Sequence, residues 1–190
     1  MQEVKDTITK TLEVKQSKFI AYLTPYSNYN KLLTRLKLEN PKARHFVVAY
    51  RYLNEFSQIV EHSSDDGEPK GTSGKPSLMV MQGNDLINTA VIIVRYFGGT
   101  KLGTGGLVRA YSDAVNLVLQ SAILKPYVKE KEITIKINYT DVRMIDYECE
   151  LNKIEVYNKV FDNDVSYLLR GSESNINSFL KRVNRIVKVV

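Results

Sequence analysis

Two α+β domains, divided near residue 127, are the fold class this sequence predicts, and three observations predict it. Residues 90–97 run Ala-Val-Ile-Ile-Val-Arg-Tyr-Phe, apolar on both faces, as a strand central to a covered sheet should be. Leu107, Ala110, Tyr111, Ala114, Val115, Val118 and Ala122 recur at helical spacing, which marks an amphipathic helix ended by Lys125-Pro126. Residues 128–190 then alternate strand and helix patterns in the order β-α-β-β-α-β, the split-βαβ, ferredoxin-like arrangement.

Taken in order, residues 11–26 mix Val14, Phe19, Ile20 and Tyr22 and stop at Pro25, which suits a strand or hairpin and is read as an opening strand. Ser27 or Asn28 can cap a helix with Leu32, Leu33 and Leu36 on one face, ended by Asn40-Pro41. Residues 44–51 read as a buried strand. Residues 61–76 are dense in turn formers and read as a loop, with Pro76 as the first residue of a short helix through Leu78, Val80 and Met81. Residues 98–106 turn the chain from the central strand into the long helix. In the second domain the expected elements are strand 133–139, helix 142–152, strands 154–161 and 165–170, helix 174–183 and strand 186–190.

A 190-residue chain with 43% hydrophobic and 25% charged residues is composed like a globular protein. It has no apolar run long enough for a membrane span, and residues 1–6 lack a signal-peptide pattern, so a cytoplasmic protein is expected. One cysteine, Cys149, forms no internal bridge, and two histidines are too few for a Cys/His zinc cluster; no cofactor or metal is expected. The net charge of +6 is uneven: residues 1–127 hold 16 Lys/Arg against 11 Asp/Glu, and residues 128–190 hold 11 against 10. This favours an anionic partner for the first domain and is equally what simple solubility allows.

The Gly-rich turn has a physical use, because unpaired amides and the positive end of a helix dipole face outward there. Gly98, Gly99, Gly103, Gly105 and Gly106 allow close backbone approach, and Arg95, Lys101 and Arg109, with Lys75, are the expected phosphate contacts. The same glycines also suit close packing of sheet and helix. No nucleotide-binding fingerprint is met, since Gly74-Lys75 precedes Pro76 and Gly103-x-Gly105 lacks a third glycine. The acidic segment, which also contains Ser63 and Ser64, offers Glu61, His62, Asp65, Asp66 and Glu68, oxygen-rich groups that could hold a hard cation but more commonly serve solvated turns. A nucleophile held by His45 or His62 beside Ser63, Ser64 or Ser73 lacks the Gly-x-Ser-x-Gly elbow. Between Lys15 and Arg51, eight Lys/Arg and one acid interleave with Phe19, Tyr22, Tyr26, Tyr29, Phe46 and Tyr50, a mix that nucleic-acid surfaces use.

Residues 15–21 (Lys15, Gln16, Ser17, Lys18, Phe19, Ile20, Ala21), the 61–76 string and residues 95–114, with Arg95-Tyr96-Phe97-Gly98-Gly99 and Gly103-Thr104-Gly105-Gly106-Leu107, resemble the IMPACT family, in particular its bacterial members of the YigZ type. The resemblance implies a first domain similar to domain IV of elongation factor G, a ribosomal-protein-like fold, and a second similar to its ferredoxin-like domain V. It further implies an RNA- or ribosome-binding protein that modulates translation without catalysis. Eukaryotic members use an added RWD domain to bind a kinase activator; 190 residues leave no room for one, so that partner is not expected, and neither is a membrane. Lys70, Ser73, Thr100 and Phe46-Val47 depart from the family pattern. Two other classes stay open: an enzyme centred on His62, Asp65, Asp66 and Lys75, metal-assisted or acting on a phosphorylated small molecule, and a protein-interaction module. Nothing in the sequence fixes an oligomeric state.

Overall fold

In the computed structural model, which describes residues 1–190, the apolar run around Ile92 forms the middle strand of a five-stranded sheet. The first unit, Met1–Tyr127, contains β1 (Gln2–Val4), β2 (Ile8–Val14), β3 (Ser17–Pro25), α1 (Tyr29–Glu39), β4 (His45–Leu53), β5 (Ile59–Ser64), α2 (Gly74–Gly83), β6 (Thr89–Tyr96), α3 (Gly103–Leu119) and β7 (Leu124–Pro126). Its large sheet has the order β2-β3-β6-β4-β5 with every pairing antiparallel. β1 pairs with β7 in a separate two-stranded ribbon.

Alternation along β6 explains its apolar run from Ala90 to Val94. Val91 and Ile93 pack with Phe19, Val47 and Ala49 against Ala110, Tyr111, Ala114 and Val118 of α3. Ile92 and Val94 face the other way, onto Leu32 and Leu36 of α1. The sheet is therefore covered on both sides, although its strands are antiparallel.

Four features of the first unit differ from the sequence reading. The opening segment is a hairpin, because Lys15 and Gln16 take left-handed φ of 44° and 63° and reverse the chain in two residues. Residues 61–64 are strand rather than loop, paired with β4 through Arg51↔Glu61 and Tyr50↔His62. α3 starts at Gly103, four residues before Leu107, so Gly103, Gly105 and Gly106 are its first turn rather than a loop. Pro76 likewise lies inside the first turn of α2, which opens at Gly74.

The second unit, Val128–Val190, consists of β8 (Glu130–Ile137), α4 (Val142–Leu151), β9 (Glu155–Phe161), β10 (Val165–Ser172), α5 (Glu173–Val183) and β11 (Lys188–Val189). The element order is βαββαβ, and the antiparallel sheet has the order β11-β8-β10-β9. Ile133, Ile135, Ile137, Tyr167 and Leu169 pack against Ile145, Ile176 and Phe179. Cys149 is buried in this core, and burial pushes its thiol up to about 11, so it stays protonated and fills space. No helix of the chain is long and apolar enough to cross a membrane.

Candidate nucleic-acid interface

The acidic motif and the Gly-rich turn meet at one end of the large sheet, and burial divides their residues into two groups. Phe19, Arg95 and His45 form one row across β3, β6 and β4. They point to the α3 side, where the Arg95 guanidinium lies over the Phe19 ring at 5.3 Å. Arg95 is 6% exposed and its Nη1 is paired with Oε1 of Glu68, itself 8% exposed. The Tyr111 hydroxyl donates to the same oxygen at 2.8 Å, and Nε2 of His45 stands 3.8 Å from it. Burial, then the Glu68 charge, raise the Tyr111 pKa, so the phenol remains a donor.

This corrects one expectation: Arg95 is not a solvent-facing phosphate contact. Its charge lies within the fold because β6 ends beneath α3, and a guanidinium there needs a buried carboxylate.

The other acids of the motif are likewise occupied. Glu61 accepts from Arg51 Nε at 2.7 Å and from Gln82 Nε2 at 2.8 Å, tying β4, β5 and α2. Asp66 Oδ2 accepts from the Phe46 amide at 2.6 Å, just beyond the last β4–β5 pair, while its carbonyl meets His45 Nδ1 at 2.8 Å. Ser64 Oγ accepts from the Asp66 amide at 3.3 Å. Asp65 accepts from the amides of Gly71, Ser73 and Gly74 and from the Ser73 hydroxyl, at 2.6–3.1 Å. It therefore takes up the amides that α2 would otherwise offer to an anion. Lys75 stands exposed in that first turn, a point charge beside a helix end already satisfied.

Burial acts to raise the Asp65 pKa, but these four hydrogen bonds outweigh it and hold the carboxyl below its ordinary value. A depressed folded-state pKa contributes stability that is complete above the unfolded value, about 3.9, and is lost as pH falls through the folded value. Asp65→Ala is expected to cost about 1–2 kcal/mol at neutral pH. In urea titrations its deficit against the native chain should shrink on acidification, and a pH-independent deficit would contradict the assignment.

His62 does not join the acids. Alternation along β5 sends Glu61 to the α2 side and His62 to the α1 side, where it stacks on Tyr50 with ring centres 5.0 Å apart. Ser63, opposite Ala49, follows His62 on β5 and returns to the side of Glu61. The grouping of His62 with Asp65, Asp66 and Lys75 is thus broken by strand geometry. No three His, Cys, Asp or Glu side chains come together in a metal-ligating arrangement.

The glycines also separate by role. A Cβ at Gly98 would overlap the backbone of Gln16 and Ser17 in the hairpin turn, where the Gly98 amide donates to Ser17 Oγ at 3.0 Å. A Cβ at Gly74 would fall 2.8 Å from the Ser64 backbone. Gly99 and Gly103 have φ of 87° and 72°, so only the backbone angle demands them. At Gly105 a Cβ meets nothing within 4 Å.

What stays open to solvent is the start of α3. Its N-terminus has no side-chain cap, and Lys101, Gly103, Thr104, Gly105 and Arg109 are exposed. Arg109 and Gly106 share a cleft of about 300 Å³ with Lys15, Val14, Leu102, Ala110 and one acid, Asp113. Lys15, which the sequence analysis places in the basic stretch but not at the Gly-rich turn, lines this cleft too. Its left-handed position in a tight turn, packed on Gly98, brings it to the helix start, and only the paired strands reveal that.

A family model described as the Impact N-terminal domain matches residues 15–119, more than half of the chain. The chain belongs to the IMPACT family. An IMPACT family member of Haemophilus influenzae is 33% identical over 180 residues, covering 92% of this chain and 86% of its own. The IMPACT family member YigZ of Escherichia coli is 34% identical over 142 residues, covering 73% of this chain and 70% of its own. A crystal structure described as that of a hypothetical protein superposes with a TM-score of 0.68 at 26% identity, covering 100% of this chain and 95% of the other. The residues matched to the IMPACT domain include the hairpin turn, the acidic motif and the start of α3, so the family's sequence signature and the buried Glu68–Arg95–Tyr111 group fall in one region.

Proposed function

We propose that this IMPACT protein binds RNA, in the setting of the ribosome, and modulates translation without catalysing a reaction. The observation that carries the reading is the uncapped, exposed start of α3 with Lys101 and Arg109 beside it and Lys15 across the cleft. Free amides and the helix dipole favour a phosphate oxygen at such a place, and flanking cations add the salt-dependent attraction that dominates binding to nucleic-acid backbones. Gly105 adds support: the fold leaves room for a side chain there, and a bare backbone lets a bulky polyanion reach the amides.

In this reading the first unit corresponds to the β-α domain of elongation factor G domain IV, and the second to its ferredoxin-like domain V. The 4-1-3-2 strand order of the second unit, β11-β8-β10-β9, is consistent with that correspondence.

The test is co-sedimentation of the native chain with ribosomes, beside a Lys15→Ala/Lys101→Ala/Arg109→Ala variant checked for an unchanged unfolding transition. The native chain should pellet with ribosomes at low salt and the variant should remain largely in the supernatant. A native chain that never pellets, or a variant that pellets equally, would refute the reading.

A further inference from the structure

The α1 side of the large sheet carries an aromatic patch that the α3 interface does not use and that touches the core only through Tyr29. Tyr50 and Tyr52 project from β4, His62 from β5, and Tyr26 and Tyr29 from the segment that enters α1. Tyr26 and Tyr52 are stacked with ring centres 4.2 Å apart and planes 3° apart. Tyr50 lies 5.0 Å from Tyr26, 5.1 Å from Tyr29 and 5.0 Å from His62. All four tyrosines are partly exposed and His62 is exposed. A cluster formed only to fill the core would be buried, as Tyr111 and Tyr167 are, and would have its hydroxyls bonded to carboxylates, as theirs are to Glu68 and Asp146.

The surroundings indicate the ligand. Tyr26 and Tyr52 line a cleft of about 660 Å³ together with Asn28, Asn88, Lys5 and Lys125. Asn28 also lines a second cleft, of about 470 Å³, with Lys31 and Arg35. The two clefts adjoin through Asn28, and their linings hold four cations and one carboxylate, Glu3, which is held by Lys125 at 3.0 Å and Asn88 at 3.2 Å; Arg35 is paired along α1 with Glu39 at 3.6 Å, and both of these pairs are partly solvated. A ligand that fits must offer flat π-faces to phenol rings, amide-complementary edges to Asn28, and several negative charges to Lys5, Lys31, Arg35 and Lys125. Unpaired nucleotides have all three properties, whereas a duplex hides its base faces within the stack.

We propose that this patch is a second, base-stacking site for single-stranded RNA, with Tyr26 and Tyr52 as the stacking residues and the four cations as contacts for the flanking phosphates. The inference rests on the RNA-binding reading above and adds to it a separate surface and a strandedness preference. His62 extends the aromatic row through Tyr50, which gives that histidine of the acidic motif a use away from the acids.

The experiment is anisotropy of a labelled short oligouridylate, and of a labelled RNA hairpin duplex, with the full chain. Tyr26→Ala/Tyr52→Ala is expected to weaken oligouridylate binding about 10-fold or more. The factor should be similar at low and high salt, because stacking releases few counterions, and Tyr52→Phe should bind like the native chain. Since the chain has 12 tyrosines and no tryptophan, oligouridylate should also quench its intrinsic fluorescence directly. That readout holds even where the double variant fails to fold. Absence of quenching, equal affinity for duplex and single strand, or unchanged binding by a folded double variant would each overturn the proposal. If Lys101→Ala/Arg109→Ala weakens RNA binding while the tyrosine variant does not, only this second site fails; if the native chain binds no RNA, both readings fail.

Discussion

Glu68→Ala is expected to destabilise the first unit by about 3–5 kcal/mol, the cost of leaving a buried guanidinium without its carboxylate. The substitution removes the partner of Arg95 and the acceptor of the Tyr111 hydroxyl together, in a place where neither group reaches water. For a unit of this size the midpoint of thermal unfolding should fall by roughly 10–20 °C. The cost comes from the charge left behind rather than from the strength of the pair, so removing the charge as well should recover much of it. A Glu68→Leu/Arg95→Met/Tyr111→Phe variant is therefore expected to be far more stable than Glu68→Ala alone. If Glu68→Ala unfolds like the native chain, the account of the buried group is wrong.

The second large effect is expected at Gly98. An alanine methyl there would overlap backbone atoms of Gln16 and Ser17, and a hairpin turn gives way less easily than the end of a flexible side chain. Gly98→Ala should exceed 4 kcal/mol, enough to leave the first unit unfolded or to pull the hairpin off the end of β6. Gly105→Ala is the informative contrast. Open space surrounds that position inside a helix, so alanine should be neutral or stabilise by up to about 1 kcal/mol. If the amides there receive a phosphate, the same variant should lose RNA affinity while gaining stability.

Where periodicity was long, the architecture was legible from sequence. The buried strand around Ile92, the helix carrying Ala110, Ala114 and Val118, and the βαββαβ order of the last 63 residues all follow from apolar spacing. A hairpin was one reading of residues 11–26, but the place of its turn was not legible, because Lys15 and Gln16 occupy left-handed positions that Asn-Gly would normally announce. Nor was β5, whose residues Glu61, His62, Ser63 and Ser64 are typical of a turn; cross-strand partners on β4 rather than its own propensity make it a strand. β1 was missed because three residues hold too little pattern to read.

The site was half legible, for a physical reason. A motif rich in Asp, Glu and Gly indicates that a constrained backbone and charged groups occur together, but whether the charges face a ligand or one another depends on pairing. Glu61 with Arg51, Asp65 with the α2 amides and Glu68 with Arg95 show that much of this signature serves the fold. Lys101 and Arg109 remain exposed, and Lys15 joins them only once β2 and β3 are paired.

The dependence of single-stranded RNA affinity on salt tests the central claim most directly. Each phosphate contact contributes about 0.7 to the slope of log affinity against log salt concentration, so Lys15→Ala/Lys101→Ala/Arg109→Ala should flatten that slope by about 2 while thermal unfolding stays unchanged. A slope identical to that of the native chain would show that the start of α3 receives no phosphates, and the proposed interface would be wrong.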